Sequence, residues 1–272
     1  MISIIMPSLN PDIDKIKNTL NSIFENNGKY EVILVLQRAN TQKINLLKQY
    51  FITEDRFKLV KDSGVGISRA RNIGTKISLG EWILLLDDDI YIENNTIQEL
   101  EKELDNNELF YYGNSMITGT KEHYVGFYIT EKDIDIWSYN RICSISLIIN
   151  KKVFDKIGYF DEKLGSGTYF GSSEESDLIL RSLLNGINIK YLKKYIVYHE
   201  KAIHSMHKVE KYAMGAGALY KKNILSKNIK LYVKFLIDLI IRFLFLFTFK
   251  KKRYLFLRGF LKGFINYKKE IN

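Results

Sequence analysis

Residues 83–86 read Ile-Leu-Leu-Leu, with Trp82 before them. A strand that keeps one face in water alternates apolar and polar residues, and this run does not. It has to be covered on both faces, which restricts the chain to a sheet sandwiched between helices. The flanking segments agree. Ser3–Met6, Glu31–Leu36 and Phe57–Val60 are short apolar strands. Between them, Ile13–Phe24, Thr41–Phe51 and Ile67–Ile77 have helical spacing, as Ile16, Leu20, Ile23 and Phe24 illustrate in the first. Strand and helix alternate as in βαβ units, so the expected fold is α/β, a mostly parallel sheet flanked by helices. From about 105 to 200 the pattern is less regular. It contains the strand-like Ser144–Ile149, a turn-rich stretch Gly158–Gly171, a helix from Glu174 to Leu184 and the strand-like Tyr191–Val197.

The apolar run ends in Asp87-Asp-Asp89. Ligands of open α/β sheets bind beyond the carboxyl ends of the strands, so these carboxylates face the crevice where a ligand would lie. Two carboxylates spaced i, i+2 can chelate one hard divalent cation, Mn²⁺ or Mg²⁺, and leave positions for water and phosphate. Such a cation would also neutralise a diphosphate and make it a better leaving group. The plainer reading is an exposed acidic turn, which is common at strand ends.

Three further clusters carry candidate chemistry. In Gly165-Ser-Gly-Thr-Tyr-Phe-Gly-Ser-Ser-Glu-Glu-Ser-Asp177 a Gly/Ser loop delivers Glu174, Glu175 and Asp177 to a helix start, where the dipole favours carboxylates. Ser172 or Ser173 could simply cap that helix; a carboxylate held there is also placed to take a proton from an incoming hydroxyl. In Asp62-Ser-Gly-Val-Gly-Ile-Ser-Arg-Ala-Arg-Asn-Ile-Gly74 two glycines precede a helix and would admit a ligand close to the backbone. Arg69 or Arg71 could hold a phosphate. The glycine spacing is not the dinucleotide fingerprint. His199 follows the strand-like Tyr191–Val197 and is a candidate third metal ligand. His204 and His207, three apart, are weaker candidates.

Cys143 is the single cysteine, which excludes an internal disulfide and a cysteine zinc cluster and suits a reducing compartment. Met1-Ile-Ser-Ile-Ile-Met6 has no basic n-region and reaches Pro7 too soon for a secretory signal, so a cytoplasmic location is expected. The net charge of +10 is unevenly spread. Residues 201–272 hold 17 Lys and Arg against Glu210, Asp238 and Glu270, and the first 200 residues are net acidic. That confines any polyanion contact to the C-terminal part and argues against nucleic-acid binding by the remainder. Residues 1–207 are therefore read as the α/β domain that carries the candidate chemistry and 208–272 as a basic, apolar helical tail.

Within that tail, Leu231–Phe249 is nineteen residues and almost long enough to span a bilayer. Lys234, Asp238 and Arg242 share one helical face, and a charge at mid-membrane costs about 2.5–3.5 kcal/mol. Such a helix lies better in a membrane interface, or packs on a second helix, or mediates a homo-oligomer. Lys250-Lys-Lys-Arg253 follows and suits anionic headgroups, so the expectation is peripheral attachment to the inner face of the cell membrane.

Read in order, Ser3-Ile-Ile-Met-Pro-Ser-Leu-Asn10, Arg69-Ala-Arg-Asn-Ile-Gly74, Leu86-Asp-Asp-Asp89, Ile157-Gly-Tyr-Phe-Asp-Glu162 and Glu174-Glu-Ser-Asp-Leu-Ile-Leu-Arg181 resemble a family-2 glycosyltransferase of bacterial surface-polysaccharide type. The resemblance covers about residues 1–200 and implies the GT-A fold. Pro7, Ser8 and Asn10 match the family's base-contacting loop. Arg71 and Asn72 match the segment lining the donor pocket. Asp87 and Asp89, with Asp88 between them, match the Asp-x-Asp that holds metal and sugar-nucleotide diphosphate. Glu175 falls where the family places its catalytic base, normally Asp, with Glu174 as a rival. The second strand ends Val35-Leu-Gln-Arg-Ala-Asn40 rather than in an acidic residue, so Gln37, Arg38 or Asp62 takes over base reading. The resemblance implies inverting transfer from a nucleotide-diphosphate sugar, UDP being the expected nucleotide, to a hydroxyl of a glycan or lipid-linked acceptor. A metal-dependent nucleotidyltransferase is the alternative. It lacks support from any Gly-rich, Lys-containing loop after the first strand.

Overall fold

The structure is a computed structural model and describes residues 1–105, 107–124, 132–201, 206–226, 228–245 and 250–268. Its first half alternates as expected. Strands β1 (Ile2–Leu9), β2 (Tyr30–Gln37), β3 (Phe57–Asp62) and β4 (Trp82–Leu85) are separated by helices α1 (Ile13–Phe24), α2 (Thr41–Tyr50) and α3 (Ile67–Ile77). Polar caps set the helix starts. The Asp12 side chain accepts from the amides of Asp14 and Lys15, and that of Asn40 from Lys43. Gly66 precedes α3 at φ 129°, a conformation that would strain any residue with a Cβ.

The chain then continues through β5 (Ile90–Tyr91), α4 (Thr96–Glu103), β6 (Phe110–Ile117), β7 (Leu147–Asn150), α5 (Lys151–Ile157), α6 (Glu174–Leu184) and β8 (Lys190–His199). Among the described residues these strands form one sheet in the order β3-β2-β1-β4-β7-β6-β8-β5. The β3-β2-β1-β4 part is parallel throughout. Beyond β4 the sheet is mixed, with β7 antiparallel to both β4 and β6. The link from β6 to β7 has no crossover helix among its described residues, and a parallel return requires one. The β6–β8 pair is parallel again, with α5 and α6 lying between β7 and β8 in the chain.

Alternate residues of each strand feed two core layers. Ile4, Met6, Val32, Leu34, Leu84 and Leu86 pack with Ile16, Leu20 and Ile23 of α1 on one face. Ile5, Ile33, Val35, Ile83 and Leu85 pack on the other with Ala70 of α3 and Leu178 of α6. This is the two-sided burial that the Ile83–Leu86 run requires.

Three C-terminal helices follow, α7 (Met206–Asn223), α8 (Ile229–Leu244) and α9 (Lys251–Asn266). Ala213, Leu219, Tyr220, Leu231 and Phe260 from these helices belong to the same second core layer. Among the described residues no helix is long and apolar enough to cross a membrane. The charged stripe of α8 turns inward. Lys234 is buried, its ammonium 3.6 Å from Asp238, and Tyr220 donates to the same carboxylate. The Arg242 guanidinium lies 4.4 Å and 4.7 Å from the ring centres of Phe256 and Phe260. From Tyr232 to Leu244 every exposed residue of α8 is apolar or aromatic. In water this is the inverse of the usual arrangement, since burying each such side chain is worth about 1.5–3 kcal/mol.

Candidate active site

The crevice opens where β1 and β4 part. The carbonyls of Met1 and Ile5 accept from Trp82 and Leu86 of the β4 segment, whereas the amides of Ile2 and Asn10 donate to the β2 side. Odd residues of β1 therefore point their backbone groups toward β4. Pro7 stands at the next odd position, where it has no N–H to offer and where β4 has already left the ladder. The chain that leaves becomes Asp87–Asp89. Ser8 donates its hydroxyl to the Asp88 carboxylate, and Thr19 of α1 donates to the carbonyls of Asp88 (3.2 Å) and Ile90 (2.9 Å). Burial, with Asp89 and Asp87 adding to it against the Ser8 hydrogen bond, pushes the Asp88 carboxyl up to about 6.

The three aspartates take different partners. Asp89 Oδ1 stands 3.0 Å from His199 Nε2, and Lys15 Nζ lies 3.7 Å from its Oδ2. The imidazole contact, working against burial, holds Asp89 below the usual carboxylate range. His199 reaches this place because β8 pairs with β5, Ile90 lying opposite it. Its Nδ1 lies 2.6 Å from the carbonyl of Glu200, and the Tyr124 ring lies 4.2 Å from the imidazole. Asp87 instead accepts from Arg71 Nη2 at 3.2 Å. Asp87, Asp89 and His199 thus come to one end of the sheet but not into one shell. Among the described residues no group of three or more His, Cys, Asp or Glu is close enough together to hold a metal ion. Asp89 and His199 supply the carboxylate oxygen and imidazole nitrogen that a cation such as Mn²⁺ accepts, and here they are held to each other at hydrogen-bond distance.

Arg71 organises the floor of the crevice. It is fully buried, and a buried guanidinium is tolerated only when it is paired. Nη1 donates to Glu174 (3.1 Å), Nη2 donates to Ser144 Oγ (2.9 Å) as well as to Asp87, and Nε has no hydrogen-bond partner among the described residues. The Phe160 ring centre lies 5.8 Å from the guanidinium. Glu174 is thereby committed. Glu175, next to it and half-buried, makes no salt bridge among the described residues. Burial, reinforced by the charge of Glu174 and only partly offset by Arg71, raises Glu175 well above an ordinary carboxylate. Ser173, in the cap position of α6, is left-handed at φ 71° and makes no capping bond, and Ser172 donates to the Tyr212 carbonyl instead. The simple capping reading of these serines is therefore not what the structure contains.

On the other side of the crevice, Gln37 and Asp62 end β2 and β3 and bind each other, Gln37 Nε2 donating to Asp62 Oδ2 at 2.8 Å. Gln37 also exchanges hydrogen bonds with the backbone of Gly66. Asp62 accepts from Arg69 Nε (3.0 Å) and from the amide of Gly64 (3.0 Å). A Cβ on Gly64 would strike the Arg69 side chain at 2.2 Å, so that glycine makes room for Arg69. Burial raises the Asp62 carboxyl, but Arg69, Gly64 and Gln37 together hold it below the usual range. Asn10 lies at the exposed end of β1 with φ 57°. Asn72 is turned the other way. Its carboxamide donates to the Phe160 carbonyl and Glu162 and accepts from the Phe160 amide, which clamps the Ile157–Glu162 segment onto α3. Asp177 is likewise internal, bound to Arg181 (2.8 Å), Lys222 (2.8 Å) and Asn223 (3.0 Å). His207 lies in α7, and His204 lies outside the described residues.

Sequence reasoning did not single out Lys15, Tyr124, Ser144 or Phe160. Lys15 could have been found, since it falls one turn into the helix that follows the β1 loop. Tyr124 and Ser144 come from the irregular region, where no spacing announced them.

Known proteins share this chain's sequence pattern and fold. The family described as "Glycosyl transferase family 2" matches residues 3–160. The poly(ribitol-phosphate) beta-N-acetylglucosaminyltransferase TarP of Staphylococcus aureus is 27% identical over 209 residues, 72% of this chain and 62% of TarP. An uncharacterized glycosyltransferase, EpsJ of Bacillus subtilis, is 28% identical over 116 residues, 40% of this chain and 32% of EpsJ. This chain thus spans less than two thirds of the length of either relative. Among solved structures, S. aureus TarS 1–349 in complex with UDP-GlcNAc superposes at a TM-score of 0.62 with 16% identity, over 96% of this chain and 72% of that one. The mannosyltransferase PcManGT of Pyrobaculum calidifontis, in complex with GDP-Man and Mn²⁺, gives 0.67 with 12% identity, over 97% and 85%. At these identities the likeness is one of fold.

Proposed function

The chain belongs to glycosyl transferase family 2, and from that premise we propose that it is an inverting transferase with a nucleotide-diphosphate sugar as donor. The acceptor is a hydroxyl of a glycan or lipid-linked glycan in surface-polysaccharide synthesis. The nucleotide is UDP, and UDP-GlcNAc is the first donor to test, because TarP is named as an N-acetylglucosaminyltransferase and TarS was solved with that molecule. One observation carries the reading. A single buried arginine joins the Asp loop at the carboxyl end of β4 to the start of α6, where Glu175, a carboxylate with a raised pKa and no salt bridge among the described residues, stands beside it.

The roles follow from what each side chain has left to offer. Glu175 accepts the proton of the acceptor hydroxyl as that oxygen attacks the anomeric carbon. The bond from that carbon to the diphosphate breaks with inversion, and the nucleoside diphosphate leaves with the electron pair. A carboxylate with a raised pKa is the stronger base for this step. Glu174 keeps Arg71 in place, and Arg71 keeps Asp87 oriented toward the crevice. Pro7, Ser8, Asn10, Gln37 and Asp62 form the rim that faces the nucleoside. Asp89 and His199, with Asp87 beside them, would hold a divalent cation. When bound, it supplies positive charge to the departing diphosphate.

Calorimetric titration of UDP tests the reading, with Mn²⁺ and with EDTA, for the wild type and Asp89→Asn. Metal-dependent binding that Asp89→Asn abolishes is the expected result. Failure of UDP and of the other nucleoside diphosphates to bind under either condition would overturn the assignment.

A further inference from the structure

The outward face of α8 is apolar and exposed. Val233, Leu236, Ile237, Ile240, Ile241 and Leu244 are all exposed along one side of a helix that turns Lys234, Asp238 and Arg242 toward the protein. The inward charges are held by Tyr220, Phe256 and Phe260, so the helix is locked in this rotation rather than free to roll over. An apolar face of this length is a docking surface rather than scattered surface hydrophobicity.

The rim decides what docks. Lys230 stands exposed at one end of α8, and Lys250, Lys251 and Lys252 stand exposed at the start of α9, with Arg258 and Lys262 along the same helix. Among the described residues of α7–α9 no carboxylate is exposed, Glu210 and Asp238 being partly covered. A second copy of the chain would bring one basic rim against another, a pairing that repels. An anionic lipid surface offers both halves of the complement, acyl chains for the isoleucines and leucines and headgroup phosphates for the lysines. Sixteen residues of helix span about 24 Å, short of the ~30 Å hydrocarbon core, so α8 lies along the surface and does not cross it.

We propose that α8 and the start of α9 form an in-plane docking face for an anionic bilayer, with the outward side of α8 sunk among the acyl chains. The inference rests on the C-terminal helices alone and is independent of the reaction assigned above.

Vesicle flotation of the full chain tests it, with phosphatidylcholine vesicles and with the same vesicles carrying phosphatidylglycerol. The wild type is expected to float with the anionic vesicles, less so as salt rises and weakly with the neutral ones. Ile237→Glu/Ile240→Glu, made at positions already exposed to water, should abolish flotation while leaving the far-ultraviolet circular dichroism and the melting curve unchanged. Lys250→Gln/Lys251→Gln/Lys252→Gln should lower partitioning about a hundredfold, taking about fivefold per lysine. Failure of the wild type to bind anionic vesicles, or equal binding by the isoleucine variant, overturns the proposal. So does a wild-type dimer in sedimentation equilibrium that the isoleucine variant turns into a monomer, since that would make the face an interface between copies.

Discussion

Glu174 and Glu175 are neighbours in sequence at the same helix start, and one contact separates their surroundings. Glu174 accepts from Arg71 at 3.1 Å, whereas Glu175 is salt-bridged to nothing among the described residues and is pushed up by burial and by Glu174 itself. Glu175→Gln is therefore expected to lower kcat about 10²–10⁴-fold, the usual worth of a general base, with UDP affinity and melting temperature unchanged. Glu174→Gln should behave differently. It leaves the buried Arg71 with Asp87 as its remaining carboxylate, so unfolding free energy should fall by about 3 kcal/mol and UDP affinity should fall with it. Denaturant titration and calorimetry on the two variants separate these outcomes, and equal stability losses would sink the distinction. The sequence offered both glutamates and could not rank them, because the ranking depends on an arginine 103 positions away in the chain. Asn72 carries the same lesson. It sits beside Arg71 on α3, yet its carboxamide is used by the backbone of Phe160, a contact made across the fold and invisible to any local pattern.

At the level of elements, the parallel half was legible to within three residues at each end, because its strands are mostly apolar and its helices are periodic. The region from 96 to 157 was not. The strand expected at Ser144–Ile149 begins with a 3₁₀ turn at Ser144–Ser146 and becomes a strand only at Leu147–Asn150, while β5 is two residues long and too short to leave a pattern. The pairing of α7 with α9 was also missed, although its signal was present as Gly259-Phe-Leu-Lys-Gly263. A Cβ on Gly263 would come within 1.9 Å of the Met214 carbonyl oxygen, and one on Gly217 within 2.0 Å of that of Phe260. The two helices meet backbone to backbone, and the neighbours that would have to move are not flexible side chains. Gly263→Ala should accordingly lose about 1–3 kcal/mol of stability from overpacking, even though alanine favours a helix by about 1 kcal/mol over glycine. A denaturant midpoint that rises in this variant would show the helices to be less tightly seated.

For the whole molecule, charge pairs between distant segments set the acid limit of stability. Burial raises Glu31, Asp62 and Asp161, but Lys58, Arg69 and Lys222 respectively, with their hydrogen-bonding companions, hold all three carboxyls below their ordinary values. Lowered carboxyls contribute stability that is complete above the unfolded-state values near pH 4–4.5 and is lost as pH falls through the folded-state values. Melting temperature should therefore hold down to about pH 5 and drop steeply below 4, and a drop beginning near neutrality would contradict this. One of these pairs bears on how the C-terminal helices relate to the rest. Lys222 of α7 lies 2.9 Å from Asp161 and 2.8 Å from Asp177, and Asp177 is fully buried. A chain ending at Lys201 would lose that lysine and Asn223, as well as Ala213, Leu219, Tyr220, Leu231 and Phe260 from the second core layer. Asp177 would keep Arg181 and gain water, so its lost partners cost little, whereas each of the large apolar side chains removed takes away about 1.5–3 kcal/mol. Set against a total stability of about 5–15 kcal/mol, the sum leaves no folded state. The truncated chain is thus expected to melt without a cooperative transition and to bind a hydrophobic dye strongly. A sharp transition at the full-length melting temperature would instead mean that residues 1–201 fold alone and that the C-terminal helices contribute nothing to the core they cover.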